Sequence, residues 1–327
     1  MNNVDLSEEI NKIWQANNSN FEKRLSNWLD ALNHGNISLN LEKKRFYRRK
    51  PLEVYVSVTM AGSRDKALFS LRFFGQEVAH LIVDKNKDVY LQLKKHKVKN
   101  EEWFDLSLAD GDYPWRGKEA QLLRRHFKKL ALSMKDMPEV GIPEHRIESK
   151  FLVEMCKGAG KFGLDSLRIK PVLIAKKFPL QMPLPISAST GFPEVGDGHI
   201  DILARHSRSK NNKPTFLSVW ELKKPDAYRH AASQAYIYSV VLLKMLRYSK
   251  RADEWYKLFG FNSLIPASLE IEAVVAISRS KEKSFKKEST LLKNNSPMKI
   301  GNDFIKLCVA YYKEKSGIII LENDPFL

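Results

Sequence analysis

Hydrophobic and polar positions follow two rhythms along the chain, and each change of rhythm marks a change of element. In the first 35 residues Phe21, Leu25, Trp28, Leu29 and Leu32 recur at helical spacing. Asp5 and Glu8 are spaced as a capping box at the start of this helix, and Gly35 is its expected end. From about residue 52 the period falls to two. LEVYVSVTM, KALFSLRFF, EVAHLIV and DVYLQL read as four strands joined by tight polar turns such as Asp84-Lys85-Asn86-Lys87, which predicts an antiparallel meander. Residues 118–135 return to helical spacing, with Leu123, Phe127 and Leu130 on one face and Arg124, Arg125, Lys128 and Lys129 on others. MPEVGIP, residues 137–143, interrupts every regular pattern and is the expected domain boundary.

Beyond it, a helix from Glu144 to Lys157 leads through a glycine-rich loop to an extended stretch, IKPVLIAKKFPL. GHIDILARH and TFLSVWELK read as strands, HAASQAYIYSVVLLKMLRY as a long helix and LEIEAVVAIS as a further strand. The last periodic segment, IKLCVAYYKEKSGIIIL, fits a helix or a strand. The order α, β, β, β, α, β implies a mixed sheet with helices packed against it. The expected fold is therefore α/β in its core and α+β overall. Residues 1–140 form a smaller N-terminal α+β domain around the meander, and residues 141–327 form the mixed-sheet domain.

Composition narrows the class. With 43% hydrophobic and 28% charged residues, the 327-residue chain is globular in character, which excludes collagen-like and wholly disordered architectures. It has no run of about 18 apolar residues, and its start, MNNVDLSEEINKIW, lacks the basic and apolar regions of a signal peptide. A cytoplasmic chain without a membrane partner is expected. Cys156 and Cys308 stand outside any metal-binding spacing and read as buried thiols. Charge changes the picture more: 55 Lys and Arg against 38 Asp and Glu leave +17, a balance that draws a polyanionic partner.

The stretch from Gly198 to Tyr238 carries the candidate chemistry. GHID places Asp201 at the start of a strand, and ELK places Glu221 and Lys223 on one face near the end of the next. If these strands pair, Asp201 sits beside Glu221. Two carboxylates and the Leu222 carbonyl then form an oxygen-rich site for Mg²⁺ or Mn²⁺, with an ammonium close enough to orient a water. That is equipment for phosphodiester hydrolysis.

These residues resemble the PD-(D/E)xK nucleases, especially their RecB-like branch, in which a Gly-x-x-Asp strand, an acidic-x-Lys strand and a Gln-x-x-x-Tyr helix follow in this order. GHID, ELK and QAYIY are the matching segments, and the resemblance covers residues 144 to 280. It implies a restriction-endonuclease-like αβββαβ core and a Mg²⁺-dependent deoxyribonuclease. By the same resemblance, Asp201 and Glu221 are metal ligands, Lys223 is the catalytic lysine, and Gln234 and Tyr238 support the site and contact nucleic acid. The family's first core helix also carries an acidic residue or a histidine. Glu148 is the preferred further ligand here, ahead of Glu154, and His145 shares its helical face. ELKKP, which includes Lys224, is similar to a segment of Shedu-type defence nucleases, although the gap from Lys223 to Gln234 is shorter than theirs.

Other features are weaker. Gly158 to Gly163 matches GxGxxG but follows a helix and precedes a strand, so it reads as a turn in which Lys161 can touch a phosphate. Pro225-Asp226 also reads as a turn, and no GxSxG or HExxH occurs. Lys224, Arg124 and Lys128, the runs at Lys94–Lys99 and 281–287, and the pairs Trp115-Arg116 and Trp103-Phe104 are candidate nucleic-acid contacts. The partner expectation is nucleic acid, DNA first, with a second copy of the chain or a separate protein left open. A catalytically silent nuclease-fold clamp or scaffold is the alternative.

Overall fold

The computed structural model describes residues 3–42, 52–57, 67–94, 108–133, 143–157, 161–164, 167–207, 216–224, 228–288 and 297–327. In chain order these hold α1 (Asn3–Glu42), β1 (Leu52–Ser57), β2 (Ala67–Phe73), β3 (Gln76–Val83), β4 (Val89–Leu93), β5 (Gly111–Pro114), α2 (Lys118–Ser133) and α3 (Pro143–Cys156). There follow β6 (Ile169–Pro171), β7 (Leu173–Ile174), β8 (Phe178–Gln181), β9 (Pro183–Ser187), β10 (Glu194–His199), β11 (Ile202–His206) and β12 (Phe216–Leu222). The chain ends with α4 (Ala231–Tyr248), α5 (Ala252–Leu258), β13 (Glu270–Ser278), α6 (Glu282–Glu288), β14 (Met298–Ile300), β15 (Asp303–Lys315) and β16 (Ile318–Leu321). The class is mixed α and β, as the alternating rhythms predict. Among the described residues no helix is long and apolar enough to cross a membrane.

The chain forms two compact units that interleave along the sequence. One comprises the chain up to Ser26, Lys150–Val172 and Gln181–Leu327; the other comprises Asn27–Ser149 with Leu173–Leu180. A single cut between residues 140 and 141 does not reproduce this division. The reason lies in what the exchanged segments complete. The early part of α1 bonds to the C-terminal unit, through Ser7 to Tyr236 at 2.5 Å and Arg24 to Asp197 at 2.6 Å. β7 and β8 extend the meander's sheet, whose order is β5-β4-β3-β2-β1-β8-β7. The boundary segment 137–142 lies outside the described residues.

Within the meander unit, β1 to β4 pair antiparallel in succession. Gly35 does not end α1, which runs on to Glu42. A Cβ there would lie 2.3 Å from the Phe69 ring, so the glycine admits a close aromatic contact inside a continuing helix. Asp5 likewise falls inside α1 and not at its N-cap. On α2, Ala120, Leu123 and Phe127 are buried, and Leu130 is only half-buried.

The C-terminal unit is built on a mixed sheet of order β14-β15-β13-β12-β11-β6, with β16 beside β15. β11 and β12 are antiparallel, whereas β12, β13 and β15 are parallel. The ambiguous last segment is strand, since Asp303–Lys315 pairs along its length with β13 and turns into β16. α4 is buried on nearly every side from Ala231 to Leu246, which requires cover on both flanks. It packs on β12 and β13, and the early part of α1 reaches it through Ser7. Phe151 of α3, Phe162, Trp220 of β12 and Tyr312 of β15 form an aromatic cluster in the same unit. Cys308 is buried as expected, but Cys156, at the end of α3, is exposed.

Candidate active site

Strand register brings the first pair together. β11 and β12 match Ile202 with Trp220, so one step further along the ladder sets Asp201 opposite Glu221. A direct bond fixes this: the Leu222 N–H donates to Asp201 Oδ2 at 2.8 Å. Glu221 is buried at 4% exposure, and its Oε1 accepts from Lys223 Nζ at 2.6 Å. Leu222 ends β12 with its side chain in the core, opposite Ala276 of β13. Lys223 follows, half-buried, and Lys224 is exposed.

Tyr238 links α4 to this pair. Burial, with the charges of Glu221 and Asp201 adding to it, pushes its phenol up to about 12, although the bond from Ala188 acts the other way. It is therefore neutral at pH 7. The Ala188 N–H donates to its oxygen at 3.3 Å, tying the end of β9 to the helix. Gln234, one turn earlier on the same face of α4, is buried, and its Oε1 has no hydrogen-bond partner among the described residues.

The glycine of GHID has a steric reason. A Cβ on Gly198 would stand 2.1 Å from the Ile186 carbonyl oxygen and 3.0 Å from the Tyr238 ring, so only glycine lets β10 lie against β9. Gly198→Ala is expected to lower stability by about 1–3 kcal/mol, the usual range for overpacking, because backbone and not a flexible side chain must yield. A urea titration checks this as a lower midpoint at unchanged slope.

No family model, curated protein or solved structure matches the chain.

The remaining candidates are placed as follows. Glu148 belongs to the meander unit, where Arg72 Nη1 donates to its Oε2 at 2.9 Å and His145 Nδ1 lies 3.3 Å from the same oxygen. Its Oε1 is buried without a hydrogen-bond partner among the described residues. Glu154 pairs with Lys157. Arg124 and Lys128 are on α2 of the meander unit. The Arg124 guanidinium lies 4.4 Å from the Trp115 ring centre and donates to the Trp115 carbonyl at 2.5 Å, so Trp115 is core and not a stacking surface for a base. Lys161 is half-buried in a turn whose next residue, Phe162, takes a φ of 48° and packs on Trp220. His206 is wholly buried, 2.6 Å from Glu272 and stacked on Phe326, which makes it structural. Gly158, Gly160, Lys95 to Lys99, Trp103-Phe104 and Pro225-Asp226 lie outside the described residues.

One residue of the site escapes the sequence reading. Tyr312 of β15 donates its hydroxyl to the Lys223 carbonyl at 2.8 Å, just where β12 ends. Burial, with the Glu314 charge adding to it, pushes this phenol up, so it stays a donor throughout the neutral range. Its only sequence signal was its place in a segment of undecided type.

The oxygen donors at this junction are the Asp201 and Glu221 carboxylates, the donor type a hard divalent cation of the Mg²⁺ class takes. Such ions are commonly held by one or two carboxylates, with water and substrate phosphate filling the rest of the shell. Among the described residues no group of three or more His, Cys, Asp or Glu side chains is gathered for a metal. The fit therefore rests on Asp201 and Glu221, side by side, with the unpartnered Gln234 Oε1 on the adjacent helix.

Proposed function

We propose that this chain is a metal-dependent nuclease that hydrolyses phosphodiester bonds, with DNA as its first substrate and Mg²⁺ or Mn²⁺ as its cofactor. The observation that carries the reading is the junction of two antiparallel strands at which Asp201 and Glu221 meet with Lys223 beside them. Asp201 and Glu221 hold the cation, with the Leu222 carbonyl as a further oxygen. When bound, such a cation would supply Lewis-acid stabilisation of negative charge developing on a phosphodiester and would make a bound water more acidic. Lys223 places an ammonium where it can orient the attacking water, and Gln234 offers that water an acceptor. The order of elements around these residues, with an antiparallel β11–β12 pair and a parallel β12–β13 pair joined through α4, supports the same reading.

The test is cleavage of supercoiled plasmid, single-stranded DNA and RNA in Mg²⁺, Mn²⁺ or EDTA, alongside Lys223→Ala. Cleavage that requires metal and is lost in the variant upholds the proposal. Metal-dependent cleavage indifferent to Lys223 removes its core. Tight, salt-sensitive binding without cleavage, and without Mn²⁺ binding, indicates the silent clamp instead.

Tyr312 then becomes a positioning residue. Tyr312→Phe removes only the hydroxyl that restrains the Lys223 backbone, and is expected to lower kcat about tenfold at unchanged KM, since small displacements of an orienting group have effects of this order or larger. A merely structural role would instead lower thermal stability and leave kcat unchanged at a temperature where the chain stays folded.

A further inference from the structure

The turn between β9 and β10 presents a feature that neither the metal site nor the core uses. Phe192 stands on this turn at 49% exposure, and Val195 on the first part of β10 is 53% exposed. Isolated apolar residues on a surface are ordinary, so exposure alone carries nothing. What distinguishes Phe192 is how firmly its backbone is held. Gly191 before it takes a φ of 85° and packs against the His230 imidazole, so closely that a Cβ would lie 2.4 Å from Nδ1. Pro193 after it is buried and restricts the preceding residue to extended conformations. Thr190 Oγ1 donates to Glu194 Oε1 at 2.8 Å across the turn, and Ala188 at its base is bonded to Tyr238.

Two of these anchors, Gly191 on His230 and Ala188 on Tyr238, tie the turn to the candidate site's own frame. His230 immediately precedes α4, Tyr238 feels the charges of Asp201 and Glu221, and β10 leads directly into Asp201. An aromatic ring is thus displayed to solvent on a turn that packs against His230 and bonds to Tyr238 of α4, the helix that also carries Gln234 of the site proposed to take a phosphodiester. Arg229, exposed and adjacent to His230, adds a cation to the same end of α4. An exposed aromatic face, with a cation one residue from the histidine on which its turn packs, matches an unpaired nucleobase, since every base has a π-face and is attached to an anionic backbone.

We infer that Phe192 is a stacking platform for an unpaired base of the substrate, so that the site prefers single-stranded or locally opened nucleic acid to intact duplex. This deepens the nuclease reading and rests on it. The full chain and its Phe192→Ala and Phe192→Trp variants are to be titrated, in Ca²⁺ to prevent turnover, with fluorescently labelled single-stranded DNA, duplex DNA and a strand of equal length lacking bases. Phe192→Ala is expected to weaken binding to the single strand about tenfold, the order found when a base-stacking aromatic is truncated. It is expected to leave affinity for the base-free strand unchanged, and Phe192→Trp is expected to retain wild-type affinity for the single strand.

Equal single-strand affinities for wild type and Phe192→Ala would overturn the inference. So would an equal loss on the base-free strand, because stacking requires a base. Phe192 is exposed, so misfolding of the variants is not expected, and circular dichroism checks this. Failure of the underlying reading looks different: the wild type itself then shows no metal-dependent cleavage or binding of any nucleic acid. Cleavage by the wild type with an unchanged Phe192→Ala rejects the platform alone.

Discussion

Asp201→Asn is expected to reduce metal-dependent cleavage by roughly 10³-fold, the equivalent of several kcal/mol of transition-state stabilisation, while the chain stays folded. The two halves of this expectation come from different features of one side chain. Asp201 Oδ2 accepts the Leu222 N–H at 2.8 Å, and the amide oxygen of asparagine can accept the same bond, so the β11–β12 junction keeps its tie. What asparagine cannot supply is the negative charge that a hard cation prefers. Glu221→Gln is a less clean probe, because it also strips Lys223 of the carboxylate 2.6 Å from its ammonium. The measurement is plasmid cleavage against Mn²⁺ concentration, with near-ultraviolet circular dichroism to verify packing. A rate within about threefold of wild type at saturating metal would show that Asp201 serves the backbone bond and not a cation, a difference well below one catalytic ligand's usual effect.

Asp201 and Glu221 were legible in the sequence because strand alternation and strand pairing are local rules. An apolar strand beginning after GHID and another ending at ELK leave few registers, and antiparallel pairing sets the two carboxylates opposite each other. α4 was equally plain, as a long apolar run with helical residues throughout. The meander was readable for the same reason. The features that escaped depend on contacts between distant segments. Gly35 looks like a helix end until the Phe69 ring is seen against it, and the β7–β8 strands look like part of the following domain until they extend the meander's sheet. Tyr312 could not be assigned to the site because its segment fits two periods and its partner carbonyl lies 89 residues away. Arg72 is the sharpest case. Period two along KALFSLRFF alternates faces, yet β2 is buried on both from Phe69 to Phe73, and the charge that alternation would set in solvent lies inside.

Arg72→Met is accordingly expected to destabilise the chain by about 3–5 kcal/mol, because it leaves a buried carboxylate without its cation. Arg72 is 5% exposed and Glu148 3%, and the guanidinium also donates to Ser70 and stands 4.4 Å from the centre of the Tyr55 ring. Burial alone would push Arg72 down; the charges of Glu148, Tyr55 and Glu77 and the Glu148 bond outweigh it and hold the guanidinium above its ordinary value. Nearby, burial pushes Glu77 up, but the bonds and charges of His80, Ser70 and Arg72 prevail and leave it below the usual carboxylate value. Its contribution to stability is therefore full at neutral pH and lost as pH falls through the acid range. The double variant Arg72→Met/Glu148→Leu removes both buried charges and should recover most of the single variant's loss, since replacing a buried pair by apolar groups is often close to neutral. Urea midpoints of wild type, both single variants and the double variant measure this coupling. A loss under about 1 kcal/mol in Arg72→Met would mean that the Glu148 charge is met by something other than Arg72, and Mn²⁺ binding by that variant would identify a cation in its place.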